Sequence, residues 1–167
     1  MIQQPPDTIL PQPALKMLKG DVALLLQPFC IQIPSLTAQL DIRPGFWFDG
    51  ASKPEILWNI PFCGTPWDAD SLPAACTHDI LCASRAMPRW RADEVFHELL
   101  LANGVCSARA WTFYKAVRAG DLLGIGHPTE EQVAWARRFL SMQAKDAYSD
   151  NQLAAWFVQG EAHLEAA

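Results

Sequence analysis

Apolar and polar residues change rhythm near the middle of the chain, and the change predicts two kinds of structure. In "DVALLLQPFCIQI" (Asp21 to Ile33) and "LTAQLDI" (Leu36 to Ile42) the apolar residues come in short runs of strand length. Pro28 interrupts the first run, as at an edge or a bulge. Pro34 and Ser35 supply a turn before the second, so a hairpin or small sheet is expected. The first twenty residues hold four Pro and little periodicity, and read as an extended arm. "RPGFWFDGASKP" (Arg43 to Pro54) reads as a structured loop because of its Gly and Pro residues. "EILWNIPFCGTPWDADSLP" continues it, with one helical turn expected at Glu55 to Asn59.

From Pro73 the apolar spacing becomes helical. Ser71 is placed to cap and Pro73 suits a first turn, so a first helix is expected over Ala74 to Ser84. Met87 and Pro88 break it. A second helix follows over Arg89 to Asn103, with Val95, Phe96, Leu99 and Leu100 on one side. Gly104 ends it. Ser107 is read as the cap of a third helix, Ala108 to Ala119, closed by Gly120. After the break at Gly124, Gly126 and Pro128, Thr129 with Gln132 is a capping-box signature. It opens a fourth helix from Glu130 to about Ala147, and Asp150 caps a last one to about Glu165. The expected class is α+β: a small N-terminal antiparallel sheet packed on a mainly helical body that contains an antiparallel helical hairpin. The expected division is an arm over 1–20, a core domain over 21–120 and a helical extension over 121–167.

Composition narrows the function classes. Half of the 167 residues are hydrophobic and seven are Trp, enough for a packed core. The formal charge of -5 lacks the footprint of a general nucleic-acid binder and of a basic membrane-adsorbing patch. The five Cys are odd in number and form no CxxC pair, which suits reduced thiols in a cytoplasm. The N-terminus has neither the basic start nor the apolar run of a Sec signal. No apolar run reaches the roughly 20 residues of a membrane span.

Candidate chemistry centres on "CTHDILC" (Cys76 to Cys82), where His78 and Asp79 sit in an apolar run. A short connection at Met87 and Pro88 makes the flanking helices antiparallel neighbours, which brings Asp93 within a turn of both. An imidazole with a carboxylate partner is an oriented base, or a metal ligand with an outer carboxylate. The same three groups also suit a hydrogen-bonded polar core without chemistry. In "FDGASKP", Asp49 is a candidate third carboxylate and Ser52 a hydroxyl donor, although Asp49 also suits an Asx turn pinning its own loop. Oxygen ligands fit Ca²⁺ or Mg²⁺, and adding His78 admits Zn²⁺ or Mn²⁺. His78 and Cys82 share a helix face at i, i+4, but further zinc ligands are not evident from spacing. His97 lies one turn beyond Asp93, and Trp90, Trp111, Phe113 and Tyr114 read as core at helical spacing.

The ordered motifs "IRPGFWFDGASKPEILW", "LPAACTHDIL", "RADEVFHELLLANGV" and "WTFYKAVRAG" resemble the phage- and prophage-associated family called domain of unknown function 1353, over about Asp21 to Gly120. The resemblance carries over Asp49, Ser52, Pro54, His78, Asp79, Arg89, Asp93, Tyr114 and Arg118. Two departures are Cys82, where that family usually has an aromatic residue, and Phe48, where it commonly has Thr. The resemblance implies a phage or prophage origin, and so a host-cytoplasmic or virion-incorporated protein. The His-Asp helix with a facing Asp is also similar to secreted phospholipases of the A-two type. By that analogy His78 would activate water, Asp93 would orient it and Asp79 would hold Ca²⁺. The glycine-rich Ca²⁺ loop and the disulfide framework of those enzymes are missing here.

These readings lead to two expectations. One is a hydrolase-like site with His78, Asp93 and Ser52 in catalytic roles and Asp79 and Asp49 on a divalent cation, acting on an ester, amide or phosphoester. The other is a non-enzymatic virion- or tail-associated component or adaptor. It would bind a phage or host protein through the N-terminal arm and C-terminal helices.

Overall fold

The computed structural model describes residues 10–19, 22–48 and 68–144. Strand β1 (Leu15–Met17) pairs antiparallel with β2 (Ala23–Leu25), and β2 pairs with β5 (Trp47–Phe48). A second sheet contains β3 (Phe29–Ile33), β4 (Ala38–Ile42) and β6 (Leu140–Ala144), in the order β3-β4-β6. Four helices follow the first five strands: α1 (Leu72–Ser84), α2 (Arg89–Ala102), α3 (Ser107–Leu122) and α4 (Glu130–Arg137). The α+β class read from the sequence is the class observed.

The hairpin β3–β4 forms because its apolar residues alternate in register. Phe29, Ile31 and Ile33 are buried while Cys30 and Gln32 are exposed. Their partners across the ladder, Ile42, Leu40 and Ala38, are also buried, so one face of the pair is continuous core. Pro34–Leu36 makes a 3-10 turn between the strands, closed by Thr37 in the left-handed region. Pro28 falls in the gap between β2 and β3, as expected of a ladder interruption. The extended arm is partly built into the sheet, since β1 lies within it; residues 1–9 and 20 are outside the described residues.

Several helix boundaries differ from the sequence expectation. Ser71 occupies the N-cap of α1 without capping it; its hydroxyl instead donates to the Asp68 carbonyl at 3.2 Å. Cys106 is the N-cap of α3, so Ser107 is already in the first turn. Helix α3 continues through Gly120 to Leu122, because that glycine keeps a helical backbone and the left-handed stop comes at Gly124 (φ +69°). The largest correction follows Arg137. Residues 140–144 form strand β6 rather than continuing a helix, and they pair with the whole of β4 from Ile42↔Leu140 to Ala38↔Ala144. Local helix propensity in "MQA" loses to a ladder that covers an otherwise open edge. The helix expected from Asp150 and the turn expected at Glu55 to Asn59 lie outside the described residues.

The start of α4 matches its signature. Gln132 N–H donates to Thr129 Oγ1 at 3.3 Å, and Thr129 N–H donates to Gln132 Oε1 at 2.8 Å. Thr129→Ala is expected to cost about 1 kcal/mol, read as a lower urea midpoint at unchanged slope; no change in midpoint would mean the box contributes nothing to stability. Among the described residues, no helix is long and apolar enough to cross a membrane.

Candidate functional site

Helix α1 is enclosed on most sides. Pro73 to His78, Ile80, Leu81 and Ser84 are buried, while Leu72, Asp79, Cys82 and Ala83 are partly exposed. Its hydroxyls are satisfied within the helix: Thr77 Oγ1 donates to the Pro73 carbonyl at 2.8 Å, and Ser84 Oγ to the Ile80 carbonyl at 2.6 Å. The helix packs against α2, α4 and β5. Its approach to the core is fixed by Asn103, whose amide nitrogen donates to the Asp70 carbonyl at 2.7 Å and to the Ala69 carbonyl at 3.2 Å. Arg109 pairs with Asp68 and Asp70 on the same segment at 2.7 and 2.6 Å.

The hairpin about Met87 and Pro88 brings His78 and Asp93 into direct contact. His78 Nε2 lies 2.8 Å from Asp93 Oδ1, and Asp93 is fully buried. A carboxylate only accepts, so Nε2 carries the shared hydrogen and Nδ1 is the basic nitrogen of the neutral ring. Nδ1 faces Asp79 Oδ1 at 3.6 Å, an ion-pair distance rather than a hydrogen bond. Cys82 Sγ lies 3.4 Å from Nε2, and the ring rests against Phe96 with centroids 5.1 Å apart. Burial works against a charge on this ring. The Cys82 sulfur and the Asp79 and Asp93 carboxylates outweigh it and hold the His78 pKa well above the usual histidine value.

Asp93 is anchored from behind. Arg118 on α3 donates from Nη1 to Asp93 Oδ2 at 3.2 Å and to Asp121 Oδ2 at 3.3 Å. Asp121 is in turn 3.6 Å from Arg89 Nε and 3.3 Å from His127 Nε2. The line His78–Asp93–Arg118–Asp121 therefore ties α1, α2 and α3 together. Asp121 was not singled out in the sequence; its signal is the i, i+3 spacing from Arg118.

Of the predicted site residues, His78, Asp79 and Asp93 come together, joined by Cys82. Asp49 and Ser52 lie outside the described residues. His97 is elsewhere: it packs with Tyr114 and Trp111 at centroid distances of 5.3 and 6.0 Å. Phe113 is core, as expected, but Trp111 is half exposed, with Lys115 Nζ 4.4 Å above its ring. Among the described residues, one group of three donors comes within metal-ligating reach: His78, Cys82 and Asp93, whose atoms all lie within 4.8 Å of one another.

The model of the family described as "Protein of unknown function (DUF1353)" matches residues 23–117, more than half of the chain. That span includes His78, Asp79, Cys82 and Asp93 and stops one residue before Arg118. A Sinorhizobium fredii (strain NBRC 101917 / NGR234) protein, "Uncharacterized protein y4iH", is 36% identical over 101 residues, which is 59% of this chain and 41% of that protein. The chain thus spans less than half the length of this relative. No solved structure matches the chain.

Proposed function

We propose that this chain, which belongs to the DUF1353 family of proteins of unknown function, is a hydrolase of phage or prophage origin that activates water with His78. The observation that carries the reading is the 2.8 Å contact of His78 Nε2 with the fully buried Asp93. It fixes the ring and, in the neutral form reached above the raised pKa of His78, leaves Nδ1 to take the proton of an attacking water. Asp93 cannot turn away, because Arg118 holds its other oxygen. Asp79, on the Nδ1 side, is the residue to hold a divalent cation, with Asp49 as its partner and Ser52 as a hydroxyl donor. Such a cation would polarise the ester, amide or phosphoester under attack. Asp79 fits that role as a partly exposed carboxylate beside the basic nitrogen.

The test is hydrolysis of a panel of carboxylic and phosphoric esters in Ca²⁺ or Mg²⁺, with wild type beside His78→Gln. Loss of the base is expected to lower the rate by about 10²- to 10⁴-fold, with the fold checked by circular dichroism. Equal rates in the two proteins would overturn the reading.

The second reading is a virion- or tail-associated component or adaptor that binds a phage or host protein. What favours it over catalysis is the enclosure of His78, only 6% exposed, which suits a hydrogen-bonded polar core without chemistry. Absence of turnover, together with aggregation of the isolated chain and order within particles, would favour it.

A further inference from the structure

We infer that His78, Cys82 and Asp93 form a site for a thiolate-accepting divalent ion of the Zn²⁺ class, distinct from the oxygen-ligated cation assigned to Asp79. This goes beyond the hydrolase reading and does not rest on it. The helix supplies two donors, since His78 and Cys82 lie one turn apart on α1. The third donor, Asp93, comes from α2.

The distances are close to those a tetrahedral ion requires. Zinc bonds of about 2.0–2.3 Å place neighbouring donors roughly 3.3–3.7 Å apart. Cys82 Sγ and His78 Nε2 are already 3.4 Å apart. His78 Nε2 and Asp93 Oδ1, at 2.8 Å, need to open by about 0.5 Å, a change within side-chain torsion. No donor pair of the three exceeds 4.8 Å.

The surroundings suit a metal as well as the donors do. Asp79 Oδ1 faces Nδ1 of the ligating ring at 3.6 Å, the outer-carboxylate arrangement that orients a histidine ligand. Arg118 takes Asp93 Oδ2 at 3.2 Å and leaves Oδ1 for the ion. A Cys82 thiolate and an Asp93 carboxylate together neutralise a divalent charge. Without an ion, Nε2 has one hydrogen and two neighbours, Asp93 and Cys82, and an ion in its place engages both. Thiolate ligation disfavours Ca²⁺ and Mg²⁺. Cys82 is partly exposed, which gives a path inward, and three protein donors leave a fourth position for water or an exogenous ligand. Occupation replaces the Nε2–Asp93 hydrogen bond, so the zinc-loaded and hydrolytic arrangements are alternative states of one set of side chains.

The experiment is titration of the full, tag-free chain with Co²⁺ and then Zn²⁺, following the cobalt visible bands and the ultraviolet thiolate-to-cobalt band. One Co²⁺ per chain with a thiolate band, displaced by Zn²⁺, is expected. Cys82→Ser and His78→Gln should each weaken binding by at least about 10-fold, the smallest loss typical of even an outer-shell change. Cys82→Ser should also abolish the thiolate band, while Cys30→Ser and Cys106→Ser, at exposed thiols outside the cluster, should leave it intact. A band that survives Cys82→Ser, or no thiolate band in the wild type, overturns the site. No substrate enters the readout, so the failure of this site and the failure of the hydrolase reading are separate results.

Discussion

Asp93→Ala is expected to destabilise the fold by about 3–5 kcal/mol, the range for removing one member of a buried ion pair. The carboxylate is fully buried and serves two donors at once, His78 at 2.8 Å and Arg118 at 3.2 Å. The two partners do not lose equally. Arg118 is about a third exposed and keeps Asp121, so it can return partly to water. His78 is nearly enclosed, and its Nε2–H would face an apolar methyl and the Cys82 sulfur. Most of the loss therefore belongs to the histidine. Asp93→Asn, which keeps an acceptor oxygen but no charge, should cost less than alanine. Urea unfolding of the three proteins decides the matter, and a loss below about 1 kcal/mol for alanine would mean that the pair is solvated after all.

A chain stopped after Gly126 is expected not to fold cooperatively. The truncation removes Val133 and Ala136 from the core, and the Trp135 and Phe139 rings that pack on Phe46 at 5.6 and 6.2 Å. It strips β6 from the whole of β4 and leaves that strand as an open edge. It also removes the Arg137 Nε donor to the Ser84 carbonyl at 3.0 Å and the Phe139 carbonyl that accepts from Arg43 N–H at 2.8 Å. Together these losses should exceed about 5 kcal/mol, the lower end of what an ordinary domain has to spare. Near-ultraviolet circular dichroism should lose its fine structure and the urea transition should broaden or vanish. A sharp transition retained by the truncated chain would show the segment to be an appendage.

The contrast between β3–β4 and β6 explains how much of the fold could be read beforehand. The hairpin carries its own signals: apolar residues in register on both strands and a Pro-Ser turn between them. Strand β6 has no such signal, because its pairing partner lies about a hundred residues earlier and its residues are acceptable helix formers. Strand β1 is too short, at three residues, to show a period. The site divides along the same line. His78 and Asp93 could be brought together by folding the chain about Met87 and Pro88, a local operation. Arg118 entered only through resemblance, and Asp121 not at all, because what makes them matter is the packing of α3 on α2. Cys82 could be paired with His78 by helical spacing, but its third neighbour needed three dimensions.

The enclosure of α1 has a consequence for how the molecule opens. Amide hydrogens of a helix covered on most sides exchange chiefly through global unfolding, whereas exposed helices exchange through small local excursions. His78 rides on that covered helix, and Asp93 and Arg118 cross-link it to its neighbours. The constellation thus belongs to the last cooperative unit to come apart. Its geometry should persist unchanged under mild destabilisation and disappear together with the fold, rather than fading ahead of it.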